Sequence, residues 1–226
     1  APGDKPVTGW GEMLHTLAHG DAVCQTAHRA DCPFPQEMRY ELPGLVIDNC
    51  AMAGRSSKTF REEGRLDDIA AHIRPGDLLV VSFGHNDANR AKAERYVPAD
   101  AFGESLRPFW DAARSHGAVC IFASPVAMRE FDEAGVCHPS FAAYREAMRA
   151  FAAEVGAPFI DLGAATAAAN TAFGAERCKA RYMWVGAKQD NAHQQNAGAC
   201  RTAQAFVQQL LQDTTPALDV LRANFK

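Results

Sequence analysis

Apolar residues recur along this chain with two different periods, and together they mark out alternating helices and strands. Trp10, Met13, Leu14 and Leu17 fall at i, i+3, i+4 and i+7, which predicts a helix over 9–19. A loop containing proline and cysteine is predicted from about 28 to 36. Leu45, Val46 and Ile47 form a short apolar run before Asp48 and Asn49, and read as a buried strand. Leu66, Ile69, Ala70 and Ile73 share one face of a predicted helix over 60–73, which stops at Pro75-Gly76. Residues 77–83 are apolar almost throughout, as a strand covered on both faces should be. A helix over 99–115, a strand over 118–124, a helix over 139–155, a short strand over 158–161 and a last helix over 196–212 follow. Strands alternating with helices of this length predict βαβ units, a parallel sheet and helices on both its faces, in one domain spanning residues 1–226. In such sheets the site lies at the carboxyl ends of the strands.

Composition narrows the class. The 226 residues are 47% hydrophobic and 22% charged, with a net charge of −4, ordinary values for a globular chain with its own core. Scattered Lys and Arg leave no electrostatic footprint for nucleic acid. No apolar run reaches the length needed to span a membrane. Seven cysteines without a C-x-x-C pair argue against a zinc ribbon or a thioredoxin motif. Cys24–Cys32 and Cys178–Cys200 are plausible disulfides, and Cys120, inside an apolar strand, reads as a buried free thiol. A secreted or periplasmic location is expected.

Three polar segments stand where a core has no use for them. Residues 49–57 follow the strand at 45–47, and Gly54 there allows a backbone N–H to approach an oxyanion closely. Phe83-Gly84-His85-Asn86-Asp87 caps the strongest strand and offers the Asn86 amide as a donor, although Asn and Asp also cap helices for structural reasons. Asp190 and His193 stand directly before the last helix, three residues apart. A carboxylate so placed can fix the tautomer of the imidazole and leave its other nitrogen as a general base. A surface histidine near a helix cap is the plainer alternative.

Taken in order, Gly-Arg-Ser-Ser, Gly-His-Asn-Asp and Asp-x-x-His resemble the blocks of the SGNH hydrolase family, and most nearly those of its rhamnogalacturonan acetylesterase group. Gly9-Trp10-Gly11-Glu12 is similar to that group's GWG segment. Ala53 to Ser57 with Phe60 and Glu63-Gly64-Arg65 are similar to its second block, and Pro75-Gly76-Asp77 leading into residues 83–87 to its third. Phe131-Asp132, Tyr144, residues 160–162 and Gly198-Ala199 fit the later part. The resemblance implies a three-layer α/β/α, flavodoxin-like parallel sheet and a serine esterase that removes O-acetyl groups from a polysaccharide, of the rhamnogalacturonan or xylan kind. It implies Gly54 (backbone N–H) and Asn86 (side-chain amide) as oxyanion donors, His193 as general base and Asp190 as its orienting carboxylate. It calls for no metal or cofactor and for a monomer acting on acetylated glycan. His85 is expected to be structural, and the resemblance leaves Arg55 without a role.

One part of the pattern is absent. The family's nucleophile is the serine of a Gly-Asp-Ser that ends a first, central strand upstream of the GWG segment. Here Gly3-Asp4-Lys5 only echoes it: no apolar strand precedes it, and Lys5-Pro6-Val7-Thr8 is similar to the variable loop that separates the nucleophile from the GWG segment. The nucleophile is therefore expected outside residues 1–226, and the slot of the central strand is expected to be filled by an upstream segment or a strand from elsewhere. Ser56, Ser57 and Ser82 lack the Gly-Asp lead-in and are not expected to replace it. The alternatives are a glycan-binding relative that has lost its nucleophile and, less expected, a lipase-like or thioesterase-like member of the family.

Overall fold

The computed structural model describes residues 7–20, 24–26, 29–34 and 37–225. Eight strands run in chain order: β1 (Cys24–Thr26), β2 (Met38–Leu42), β3 (Leu45–Asn49), β4 (Leu78–Val81), β5 (Val119–Ala123), β6 (Phe159–Ile160), β7 (Tyr182–Val185) and β8 (Lys188–Gln194). The α-helices are α1 (Ser57–Glu62), α2 (Arg65–His72), α3 (Ala99–Ser115), α4 (Ala142–Val155), α5 (Leu162–Phe173), α6 (Ala175–Cys178), α7 (Asn196–Gln212) and α8 (Asp219–Asn224). Trp10–Leu17, where a regular helix is expected, winds instead as a 3₁₀ helix.

Strands β4, β5 and β6 form a parallel sheet in that order, with α3 and α4 as the connections. Strand β5 shows why the sheet is covered on both sides. Its side chains alternate, so Cys120 and Phe122 enter one cluster with Phe102, Leu106 and Phe109 of α3 and Met148 and Phe151 of α4. Ile121 and Ala123 enter the other, with Phe206, Val207 and Leu210 of α7. The 3₁₀ turn closes this second layer, its Trp10 ring 5.0 Å from that of Phe206. Each fully buried Phe or Leu contributes about 1.5–3 kcal/mol, and most of them lie on these two faces.

Three further elements differ from expectation. The helix expected over 60–73 is two helices, because Gly64 takes a left-handed φ of +77° between them. The strand at 45–49 does not join the parallel sheet. It pairs antiparallel with β2 through the two-residue turn Pro43-Gly44, and β2 pairs in turn with β1. The residues before the last helix form a hairpin, β7–β8, rather than a loop.

No ladder joins β3 to β4. Leu45 and Ile47 of β3 and Leu78 and Val80 of β4 nevertheless pack on the same cluster and stay only half-buried, with Val46 49% exposed. Each strand thus has one paired edge and one free edge, and a row of unpaired backbone groups is costly wherever water is excluded.

Cys120 is a buried free thiol, as its strand position suggested. Cys178 and Cys200 are also free, against the expected disulfide: the Cys178 thiol is turned into the protein, where it donates to the Asn170 carbonyl. Cys32 is free as well, against the expected Cys24–Cys32 disulfide: its thiol donates to the Glu37 carboxylate at 3.1 Å. Among the described residues no helix is long and apolar enough to cross a membrane.

Candidate active site

The polar segments singled out in the sequence gather at one rim, beyond the carboxyl ends of β3 and β4. The turn after β4 is built around two residues. Gly84 has φ +132°, and a Cβ there would collide with the ring of Pro125; only glycine lets the two loops touch. Asp87 is fully buried. Its Oδ1 accepts from the Ser57 N–H at 2.9 Å and the Ser57 hydroxyl at 2.6 Å, and its Oδ2 from the Gly84 N–H at 3.0 Å. Burial holds the Asp87 carboxyl above its usual range despite these donors. Sequence reasoning credited Asn86 and Asp87 alike with a cap; Asp87 alone ties the turn to α1.

Asn86 is thereby left half-buried at the surface of the turn. One of its amide hydrogens goes to the Arg55 carbonyl at 3.0 Å, and an amide has two to give. The bond ties Asn86 to the loop of Gly54, which has φ +80° and whose carbonyl is held by Arg95 at 3.0 Å. The Gly54 N–H has no partner among the described residues. Arg55 itself turns to Glu63 at 2.8 Å. Ser56 and Ser57 are both fully buried: Ser56 caps α1 by accepting from the Thr59 N–H, and Ser57 serves Asp87. Neither hydroxyl is open to a ligand.

Asp190 and His193 come from a bulge in the hairpin. The two steps from Tyr182 to Trp184 on β7 face the five steps from Gln189 to Gln194 on β8, so the residues between are pushed out of the ladder. Expected on a turn before the last helix, the pair stands instead on this bulged strand. Asp190 Oδ1 accepts from the N–H groups of Ala192 and His193, both at 2.9 Å, and Oδ2 lies 2.7 Å from His193 Nδ1. Burial raises the Asp190 carboxyl, but these bonds outweigh it and hold it at about 2. An ionised carboxylate accepts only from a protonated Nδ1, which leaves the lone pair on Nε2. The His193 side chain is 57% exposed, against 19% for Asp190.

The bulge is pinned from behind. The Asn191 carboxamide oxygen accepts from Trp184 Nε1 at 2.8 Å and from Arg129 at 3.3 Å, and its carbonyl accepts from the Arg129 N–H at 2.8 Å. Asn191 and Arg129 carry no motif, and sequence reasoning missed both. Gly198, in the first turn of α7, lets that helix press against the Arg181 carbonyl at the base of the hairpin.

His85, the residue before Asn86, lies near enough to His193 for the two rings to feel one another's charge. Burial lowers the basicity of His85, the nearby His193 ring lowers it further, and a hydrogen bond to the Val126 carbonyl only partly compensates, leaving it at about 4. Its ring packs edge-on against Phe141 at 4.7 Å. The chain just before Trp10 reaches the same rim: the Thr8 N–H donates to the Gln194 carbonyl at 3.0 Å, one residue past His193, and its hydroxyl to Asn196 at 2.8 Å. Lys5 lies outside the described residues.

Cys32, Glu37 and Asp68 bring three potential metal ligands within 4.8 Å of one another. Arg29 already holds that ground, 2.5 Å from Asp68 and 3.9 Å from Glu37, so the acidic charge is met by a guanidinium.

A sequence model of the GDSL-like lipase/acylhydrolase family matches residues 7–198. The chain is 32% identical over 229 aligned positions to rhamnogalacturonan acetylesterase RhgT of Bacillus subtilis strain 168, covering 97% of this chain and 88% of that protein. It is 39% identical over 189 positions to the probable rhamnogalacturonan acetylesterase YesY of the same strain, covering 82% and 87%. The crystal structure of YxiM from Bacillus subtilis superposes with a TM-score of 0.74 at 26% identity, covering 95% of this chain; the chain spans about half of that one, 52%.

Proposed function

The chain belongs to the GDSL-like lipase/acylhydrolase family, and on that premise we propose that it is a carbohydrate esterase that removes O-acetyl groups from a polysaccharide by way of a serine acyl-enzyme. The observation that carries this reading is the 2.7 Å Asp190–His193 pair, which presents an exposed imidazole at the rim occupied by the Asn86 turn. The relatives that share most of the chain's length are named as rhamnogalacturonan acetylesterases, which supports acetylated polysaccharide as the substrate class.

The nucleophile is assigned to a serine at the end of a strand seated between the free edges of β3 and β4. Two observations support that place. Both edges line one apolar cluster without pairing, and Thr8 brings the chain ahead of Trp10 alongside His193. In the reaction His193 Nε2 takes the serine proton as the oxygen attacks the acetyl carbonyl. Asp190 stabilises the imidazolium that forms. The Gly54 N–H and the Asn86 amide receive the charge on the carbonyl oxygen, each such donor being worth about 10²–10³ in rate. His193 then protonates the departing sugar oxygen and activates the water that releases acetate. His85, neutral at pH 7, adds no positive charge beside His193.

The test is hydrolysis of an aryl acetate by the protein and by His193→Ala. We expect a loss of at least about 10³-fold with an unchanged circular dichroism spectrum. Retained activity in a folded variant removes His193 from the mechanism. One observation favours a second reading, a glycan-binding protein without catalysis: among the described residues no serine hydroxyl bonds His193. Labelling with a fluorophosphonate separates the two readings, because only an activated serine reacts.

A further inference from the structure

The two walls of the candidate active site share one neighbour, the segment 124–129 that leaves β5. Ser124, Pro125 and Ala127 are buried, and the segment is fastened along its length. Ser124 Oγ accepts from the Gly163 N–H at 2.8 Å and donates to Asp161 at 3.2 Å. The Ala127 N–H donates to the Thr166 hydroxyl at 2.9 Å, and the Ala127 carbonyl accepts from the Tyr182 hydroxyl at 2.8 Å. The Met128 N–H donates to the Ser140 hydroxyl at 2.9 Å. Near its start, Pro125 packs on Gly84 and the Val126 carbonyl holds the His85 ring, the two residues that lead into Asn86. At its end, the Arg129 N–H holds the Asn191 carbonyl at 2.8 Å and the guanidinium holds the Asn191 carboxamide oxygen at 3.3 Å. Asn191 stands in the bulge between Asp190 and His193. Pro125 and Arg129 are four residues apart, at most about 14 Å of extended chain, so the segment limits how far apart the two walls can stand.

Arg129 suits this place by its shape more than by its charge. Its Nε and one terminal nitrogen both donate to the Ala175 carbonyl, at 3.1 Å and 2.8 Å, while the other terminal nitrogen reaches Asn191. The guanidinium carbon lies 4.7 Å from the centre of the Trp184 ring, and Trp184 Nε1 donates to the same Asn191 oxygen at 2.8 Å. The Glu176 carboxylate, 4.0 Å from Arg129, is exposed, so that ion pair contributes little. Lysine carries a point charge and reproduces neither the fork nor the stacking. Resting on the esterase reading, we propose that residues 125–129 are the spacer that sets the separation of His193 from the Asn86 amide, and that Arg129 is the positioning residue at its hairpin end. Asp190 orients the imidazole within the bulge, and Arg129 places the bulge.

Steady-state hydrolysis of an aryl acetate across pH tests this in Arg129→Ala and Arg129→Lys, each alone and in the His193→Ala background. Thermal melts identify the folded variants. Asn191→Ala, which removes the side-chain contact from the hairpin side, takes the place of an Arg129 variant that does not fold. We expect kcat of Arg129→Ala to fall by about 10–100-fold, the effect of moving a reacting group by about 1 Å, with KM within about twofold of the parent value. The shape of the pH profile should not change, because the Asp190–His193 bonds are local and travel with the bulge. Arg129→Lys should regain no more than about threefold of the loss. Where His193 is already replaced, Arg129→Ala should cost no more than about twofold further. A parental kcat in folded Arg129→Ala overturns the proposal and leaves Arg129 a purely stabilising residue. Full recovery by lysine overturns it by making charge the cause, and an undiminished loss in the His193→Ala background overturns it by taking the effect away from His193. A parent protein without ester hydrolysis removes the esterase reading and this inference together, whereas an active parent matched by its Arg129 variants removes this inference alone.

Discussion

The two walls of the candidate active site are built in opposite ways. The turn over 84–87 is sewn into the protein: Asp87 has no exposure, three donors converge on its carboxylate, and Gly84 is pressed against Pro125. The bulge over 190–193 is held by its own local bonds and by Asn191, and its histidine stands more than half in water. On the proposed mechanism the difference follows from what each wall is asked to do. An oxyanion donor helps only if it is already in place when charge develops, so it sits on a buried knot. A general base must receive a proton and hand it on to a sugar oxygen and to water, so it needs access.

The contrast breaks most readily at Asp190. Asp190→Asn keeps the bulge's shape but removes the charge that selects the Nδ1–H tautomer. We expect hydrolysis of an aryl acetate to fall by about 10⁴-fold with little change in melting temperature. A fall of less than tenfold would mean that the exposed wall does not supply the base. On the buried wall, activity and stability should separate between neighbours. Asn86→Ala should lower the rate by about 10²–10³-fold and leave denaturant unfolding nearly unchanged. Asp87→Ala should cost about 2–4 kcal/mol in the same unfolding experiment, because it strands the Ser57 and Gly84 donors. Equal stability losses at the two positions would erase the distinction between donor and knot.

The smallest effect is acid titration of the rim. The Asp190 carboxyl is held at about 2 in the fold, below its ordinary value, so the stability it contributes is complete above about pH 4 and is lost as pH falls from there to about 2. Asp87 is shifted the other way, by burial, and does not add to that loss. Urea unfolding of the protein and of Asp190→Asn between pH 5 and pH 2 reads the difference. The gap between them should narrow as pH falls, and a gap that is constant with pH would deny the Asp190 carboxylate its role.

Helices with strong apolar faces were legible from spacing. The residues 99–115 and 196–212 came out as read, since one face of each meets the sheet and the period of that face is local information. Other elements left a signal that went unread. Met38, Tyr40 and Leu42 alternate with Arg39 and Glu41 before Pro43-Gly44, a hairpin pattern. The helix over 162–173 begins at Asp161, whose carboxylate caps it, and ends at Gly174. Its run of alanines has so little periodicity that only those two punctuation marks announce it. The hairpin under His193 was hidden for another reason: residues 188–194 are polar, and what makes them a strand is the partner they find in Tyr182–Val185.

The sequence by itself determined the alternation of strands and helices, the polar blocks that follow the strands and the candidate Asp190–His193 pair, because these depend on residue type and near spacing. Tertiary structure alone decided that Asp87 is a knot while Asn86 keeps an amide hydrogen to give, that Ser56 and Ser57 are out of reach, and that Arg177 and Arg181 face one hollow with Arg201 of the long helix α7. Those outcomes depend on which groups distant segments bring together and which they seal from water. A carboxylate, a hydroxyl or a guanidinium has the same covalent form in either setting; burial and partners decide what it does.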